Sequence, residues 1–265
     1  MDDWRSYDDV AETYERVHAP RFAEPASDLV SLAGVSAGAR VLDVGTGTGI
    51  AAEAAASAGA WAIGIDRSPG MVAVGRRARP SLRLVSADAI DLPFPTGVFD
   101  AILSNFVLAQ FTKAETALHD IVRVLRPGGL LAVSVWADRL DDLQRAWTDL
   151  ALQVVPKDLL TDAMKRAQPG RERFADKVHL QATLARAGLE RIRVQSHRYR
   201  FTYGLDEYVD GLGAFSTGRF VRGMVGEAGW VSFLDRAKTV FRDRFADPLG
   251  DSRDALLAVG RKPAN

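Results

Sequence analysis

The sequence predicts an α/β fold: a mostly parallel sheet with helices packed on both faces. Two observations carry this. Between Arg40 and Trp136, short apolar runs alternate with segments of helical periodicity. Strands separated by helices are joined by right-handed crossovers, which cover both faces of the sheet. Within that region Val41 to Gly49, VLDVGTGTG, takes a buried strand directly into a glycine-rich turn and a helix. The chain of 265 residues, 47% apolar and 26% charged, has the composition of an ordinary globular protein and is long enough for a sizeable core.

The elements follow in order. Val10, Ala11, Tyr14, Val17 and His18 fall at helix spacing until Pro20 interrupts them, and a second helix covers Glu24 to Ala33. Strands are expected at Val41–Val44, Ala60–Ile65, Leu82–Ser86, Phe99–Ser104 and Leu130–Trp136. Helices are expected at Thr48–Ser57, Met71–Arg77 and Lys113–Leu125. After Asp138 the regularity lapses. Leu140–Val155 reads as a helix, a polar stretch with Pro156 and Pro169 follows, and His179–Ala187 is a helix stopped by Gly188. A strand over Glu190–Phe201 leads to a glycine-dense run, Gly204 to Gly229, that could form a mobile lid. Val231–Phe245 is helical and Ala255–Val259 is a closing strand. One domain with two insertions accounts for the whole pattern.

The glycine turn carries the chemistry. Gly45, Gly47 and Gly49 let the backbone approach a ligand closely, and the following helix offers free N–H groups. Taken alone, the turn has a lesser reading as a tight corner with no ligand. The nicotinamide-dinucleotide spacing G-x-G-x-x-G fails, because Ile50 stands where the third glycine belongs. No Lys-Ser/Thr pair follows, which excludes a P-loop.

The early third glycine, with Asp43 two residues before the first, resembles motif I of class I S-adenosylmethionine-dependent methyltransferases. Further stretches fit in order: Asp66 in GIDRSPGMV, Asp88 in LVSADAIDLPF, Phe99-Asp100, and RVLRPGG at Arg123–Gly129. Each Asp alone is more readily a helix cap or a loop solvator, but the motifs together are similar to the methyltransferase type 11 family, near enzymes of ubiquinone and menaquinone biosynthesis. The resemblance spans about Tyr7 to Trp136. It implies a Rossmann-like, doubly wound, seven-stranded sheet, mostly parallel with the last strand antiparallel, carrying helical cap insertions. It implies S-adenosylmethionine as cofactor, held by Asp43, Gly45, Thr46, Gly47 and Gly49, by Asp66 at the ribose, by Met71, Asp88 and Ala89 at the adenine, and by Arg67. Asn105 would line the same crevice. Tyr14 either folds over the cofactor or is a packing aromatic. Residues 1–38 would be an N-terminal lid, 40–138 the cofactor-binding core, and 139–175 and 204–250 acceptor-side insertions.

The implied reaction is methyl transfer to a small-molecule acceptor by in-line displacement at an O, N or C nucleophile. A base is useful only when that nucleophile is protonated. Of the four histidines, His18 is the one candidate base, on a segment that could close over the crevice; His119, His179 and His197 read as surface or structural. The segment Phe106–Phe111 supplies no base. Trp136, Trp147, Phe215, Phe220, Trp230 and Phe233 either build an acceptor pocket or form the insertions' own core.

Composition narrows the rest. With no cysteine, disulfides, thiolate metal sites and a Cys nucleophile are excluded. Lys plus Arg and Asp plus Glu both number 34, so there is no basic excess for nucleic acid, and Ser104-Asn105-Phe106 lacks the signature of amino-methylating DNA enzymes. Asp138, Asp141 and Asp142 read as the polar start of a helix rather than as metal ligands. No apolar run approaches the roughly 20 residues of a membrane span, and the acidic opening is unlike a signal peptide, so a cytoplasmic location is expected. The oligomeric state is not legible. The alternative is a protein of the same fold that binds S-adenosylmethionine without methyl transfer, as a rearrangement catalyst or binding protein.

Overall fold

The computed structural model describes residues 3–137 and 141–264. Asp138, and Leu140 as a helix start, lie outside the described residues. The N-terminal segment stays helical throughout but changes winding: 3-10 over Asp3–Val10, α1 over Ala11–Thr13, a π turn over Tyr14–His18, 3-10 over Ala19–Phe22, then α2 at Ala23–Leu32. Pro20 was expected to interrupt the run. Lacking an N–H, it is accommodated instead by the π and 3-10 turns around it.

Five parallel strands follow: β1 (Arg40–Val44), β2 (Trp61–Asp66), β3 (Arg83–Ser86), β4 (Phe99–Asn105) and β5 (Leu125–Trp136). They are connected by α3 (Ile50–Ser57), α4 (Pro69–Ala78) and α5 (Ala114–Val124). Then come α6 (Asp142–Ala151), α7 (Lys157–Ala167), α8 (Arg171–Phe174), α9 (Lys177–Arg186) and β6 (Glu190–Tyr203). The chain ends with α10 (Leu205–Gly211), α11 (Ser216–Arg244, kinked at Gly226) and β7 (Leu249–Arg261). The sheet order is β3-β2-β1-β4-β5-β7-β6, with β7 antiparallel to both neighbours. This is the seven-stranded, doubly wound, Rossmann-like sheet that the resemblance implied, with its last strand antiparallel.

The two faces of the sheet alternate residue by residue. Leu42, Val44, Ile102 and Val133 face one apolar cluster with α5 and α9; Val41, Ala101, Leu103 and Ala132 face the other with α2 and α3. On α3 the buried Ala51, Ala52 and Ala55 let the helix lie close to the sheet. Ser68 caps α4 by accepting from the Met71 N–H, with Pro69 at the first turn.

Two sequence expectations change. The polar stretch 156–175 is helical, as α7 and α8. The glycine-dense run is also helical, as α10 and α11, and several of its glycines serve close approach. A Cβ on Gly211 would lie 2.6 Å from Val17 Cγ1, and one on Gly218 would lie 2.3 Å from the Leu212 carbonyl oxygen. These helices pack with α6 and α7 into a third apolar cluster holding Trp147, Trp230 and Phe233, so those aromatics form the cap's own core. Among the described residues, no helix is long and apolar enough to cross a membrane.

Candidate functional site at the ends of strands β1 and β4

Strand β1 pairs with β2 on one side and β4 on the other, so the strand order reverses there and a crevice opens beyond the carboxyl ends. Gly45, Gly47 and Gly49 form the turn into α3, with φ of 70°, 55° and 106°. Gly45 admits no side chain: a Cβ would sit 2.3 Å from Val107 Cγ2. Two carboxylates fasten the turn. Asp43 Oδ2 accepts from the Thr46 hydroxyl (2.5 Å) and the Ala52 N–H (2.9 Å). Asp66 Oδ2 accepts from the Gly47 N–H (2.8 Å), while its Oδ1 accepts from the Ser68 N–H (2.9 Å).

A cleft lies over this turn, lined by Tyr14, Phe22, Asp43, Gly45, Thr46, Thr48, Ile50, Ala51 and Asn105. Opposite the turn, Asn105 Oδ1 accepts from the Ser134 hydroxyl at 2.6 Å. The next residue, Phe106, holds φ at 59°, a strained value for an aromatic residue of the kind that recurs at ligand sites. It stacks on Trp136 at 3.8 Å, and Phe22 lies 5.5 Å from Phe106 and 6.0 Å from Tyr14.

Two buried polar atoms of this lining, Asp43 Oδ1 and Thr48 Oγ1, have no hydrogen-bond partner among the described residues. Buried polar atoms are nearly always paired, so a carboxylate oxygen and a hydroxyl left open at one cleft mark where a polar ligand belongs. An amino-acid group carrying an ammonium and a carboxylate matches that pair, and the S-adenosylmethionine implied by the sequence carries one.

Burial pushes the Asp43 carboxyl up from 3.8 to about 7, against the stabilising Thr46 and Ala52 hydrogen bonds and with the nearby Asp66 charge adding to the rise. Burial likewise raises Asp66, opposed by the Ser68 and Gly47 N–H groups. A raised acid favours the folded protein at low pH, and that contribution is lost as pH rises from 3.8 through about 7. Binding of a cation at Oδ1 runs the opposite way, because it favours the carboxylate. S-adenosylmethionine affinity is therefore expected to fall by up to about tenfold per pH unit below neutrality. Calorimetric titrations between pH 6 and pH 8 check this; a flat profile would place the ammonium elsewhere.

His18 is not available as a base. It is 1% exposed, its Nε2–H donates to the Gly211 carbonyl (2.7 Å), and its Nδ1 accepts from the Arg21 guanidinium (3.0 Å). Burial, together with the charge of Arg21, pushes its pKa down to about 3. Both ring nitrogens are committed, so the expected base is instead a tie between the N-terminal segment and α10. His119, His179 and His197 are exposed.

The other expected residues divide. Tyr14, Asp43, Gly45, Thr46 and Asn105 line the cleft. Gly47, Gly49 and Asp66 shape its turn. Met71 is buried against Ala11, with Tyr7 and Tyr14 packed on it. Asp88 pairs with Arg67 at 3.2 Å on the surface, and Ala89 is buried in the neighbouring core. Phe22 was missed as a lining residue, since nothing in its local pattern distinguishes it from a packing aromatic. Asp141 caps α6 in a capping box, accepting from the Gln144 N–H at 2.7 Å, and Asp142 is the helix's first residue. Among the described residues, no three acidic or histidine groups are placed to hold a metal ion.

Residues 42–133 match a protein family described as "Methyltransferase domain". The chain is 37% identical over 141 residues to a demethylmenaquinone methyltransferase of Beutenbergia cavernae, an alignment covering 48% of this chain and 55% of that protein. The chain thus spans about half the length of the curated relatives it matches. Among solved structures, phosphoethanolamine N-methyltransferase 2 of Haemonchus contortus superposes with a TM-score of 0.61 at 16% identity, covering 98% of this chain and 60% of that one. The [4+2]-cyclase SpnF superposes with a TM-score of 0.57 at 22% identity, covering 92% and 82%. The motif-bearing core, residues 42–133, is thus similar to the methyltransferase domain family, and the solved structures share its fold.

Proposed function

We propose that this chain transfers the methyl group of S-adenosylmethionine to a small-molecule acceptor. The observation that carries the reading is the open pair Asp43 Oδ1 and Thr48 Oγ1 beside the Gly45–Gly49 turn. In this assignment Asp43, Gly45, Thr46, Gly47 and Gly49 hold the amino-acid portion. Asp66 serves the ribose, Met71, Asp88 and Ala89 the adenine, Arg67 joins them in holding the cofactor, and Tyr14 and Asn105 close the crevice. When bound, the cofactor supplies an electrophilic methyl group on a sulfonium. The chain's own contribution is positioning and the exclusion of water. Asp43 sets a negative charge against a cation, and Tyr14 and Phe22 roof the cleft.

The aromatic layer of Phe22, Phe106 and Trp136 beside the cleft favours a flat, largely apolar acceptor. The name of the Beutenbergia relative points in the same direction. Zero net charge disfavours nucleic acid, and a cytoplasmic location suits such an acceptor. The lid, core and acceptor-side roles given to 1–38, 40–138, 139–175 and 204–250 belong to the same reading.

A second reading, binding without methyl transfer, is favoured by one observation: among the described residues, the only ionisable side chains lining the cleft are Asp43, which this assignment gives to the cofactor, and Tyr14. The His18 lone pair is held by Arg21, and burial raises the Tyr14 hydroxyl well above its ordinary value. Incubation with S-adenosylmethionine and a panel of hydroxylated and amino aromatics separates the two. Acceptor-dependent release of S-adenosylhomocysteine supports transfer; retained cofactor binding with no release from any acceptor supports the second reading.

A further inference from the structure

Two carboxyls from distant parts of the chain converge on one nitrogen where the cap meets the sheet. Asp141 is the N-cap of α6 and Asp251 lies on β7, and their Oδ2 atoms stand 3.8 Å and 3.1 Å from Arg253 Nε. Each carboxyl has one oxygen already engaged. Asp141 Oδ1 accepts from the Gln144 N–H at 2.7 Å, and Asp251 Oδ2 accepts from Arg21 at 3.2 Å as well as from Arg253. The remaining oxygens, Asp141 Oδ2 and Asp251 Oδ1, receive no donor from the other described residues, and the two carboxyls hydrogen-bond each other.

An ionised carboxylate only accepts, so a hydrogen bond between two carboxyls requires a proton on one of them. Burial first, then the hydrogen bond and charge of Asp251, push the Asp141 carboxyl up from 3.8 to about 6, against the Gln144 N–H and the Arg253 charge. The titration belongs to the pair rather than to either residue. The groups that face the pair keep a fixed charge between pH 5 and pH 8. Arg253 and Arg21 stay cationic. His18 stays neutral, because burial and Arg21 push it down to about 3, and burial raises the Tyr203 and Tyr208 phenols, which stay protonated. On α6 itself, Asp142 and Arg145 are exposed and pair with each other at 2.7 Å.

We propose that Asp141 and Asp251 share one proton that ties the first turn of α6 to β7, and that loss of this proton to solvent loosens the start of the cap. Asp251 is anchored by two guanidiniums, whereas Asp141 reaches Arg253 only at 3.8 Å. When the proton leaves, two like charges face each other, and the less anchored one, at the start of the helix, is the one that moves. A raised acid favours the folded protein below its ordinary value of 3.8, and that contribution is lost as pH rises through about 6. The tie is therefore closed in mild acid and open above neutrality. It stands behind the aromatic wall of the cleft: the Arg253 guanidinium lies 5.5 Å from the Trp136 ring, which stacks on Phe106 at 3.8 Å. The inference is independent of the cofactor assignment.

Thermal melts of the wild-type chain and of Asp141→Asn at pH 5 and pH 8 test the tie. Asparagine keeps the side-chain oxygen that caps α6 and places an amide N–H donor where the proton lies, at every pH. The two proteins should melt together at pH 5. At pH 8 the variant should melt higher by about 2–4 °C, the shift that a roughly fivefold change in folding constant gives a chain of this size. Asp43 titrates alike in both proteins and cancels in the comparison. Hydrogen-exchange protection factors over residues 142–146 should fall from pH 5 to pH 8 in the wild-type chain and hold in the variant. In the wild-type chain alone, the carbon-13 resonance of the Asp141 carboxyl should shift with a midpoint near pH 6. A melting difference that is the same at both pH values, or a carboxyl midpoint at the ordinary aspartate value, overturns the shared proton. Protection over 142–146 that does not change with pH in the wild-type chain overturns the loosening of the cap.

Discussion

Gly45→Ala is expected to abolish measurable binding of S-adenosylhomocysteine. Two costs combine at this position. An L residue held near φ 70° is strained by about 1–2 kcal/mol. The added Cβ would lie 2.3 Å from Val107 Cγ2 and 2.8 Å from Val107 Cβ, an overlap of the kind that costs about 1–3 kcal/mol in a packed interior. The sum, about 2–5 kcal/mol, exceeds what the turn can absorb in place, so the turn shifts and the cleft lining of Gly45, Thr46 and Thr48 shifts with it. Calorimetry gives the affinity and a thermal melt separates local displacement from unfolding. Adding Val107→Gly removes the overlap but leaves the φ strain, so binding should return only in part. Wild-type affinity in Gly45→Ala would show that the turn does not carry the ligand.

Asp66→Ala is expected to weaken cofactor binding by about 1–3 kcal/mol, or roughly 5- to 150-fold. Its carboxylate does two jobs. It holds the Gly47 N–H at 2.8 Å and the Ser68 N–H at 2.9 Å, fixing the turn to the end of β2, and it leaves lone pairs for ligand hydroxyls. Because burial already penalises its charged form, removing it also relieves a cost. Binding should therefore fall more than stability does. Asp66→Asn keeps one acceptor oxygen and should recover part of the loss; equal losses of affinity and melting temperature would make Asp66 a purely structural tie.

The sheet was legible because period and punctuation agree along residues 40–136. Val41, Leu42 and Val44 are a buried run, Gly45 to Gly49 end it, and an Ala-rich helix follows, so local preference and global topology point the same way. The closing strand was found only in its central, apolar part; Leu249 to Asp254 is polar enough to hide its beginning. The helices of the cap were hidden because glycine has two uses: it can loosen a chain, and at Gly211 and Gly218 it allows helices to approach other backbone and side chains closely.

The site was half legible. Asp43, Gly45, Thr46 and Asn105 lie in one continuous segment of pattern, and the structure sets them around one cleft. Phe22, Arg21, Tyr203, Asp251 and Arg253 meet only through the tertiary fold, from the N-terminal segment and the ends of β6 and β7. No spacing along the chain could have joined them. His18 shows the converse: its position suggested a base, but its role is set by Arg21 and by Gly211, 193 residues away.

The most direct measurement is calorimetric titration of the purified chain with S-adenosylmethionine and with S-adenosylhomocysteine at pH 8, where Asp43 is ionised. Saturable binding of both at one site per chain, in the micromolar range and lost in Gly45→Ala, is the expected result. Absence of binding by either compound to a chain that melts cooperatively would contradict the account at its centre.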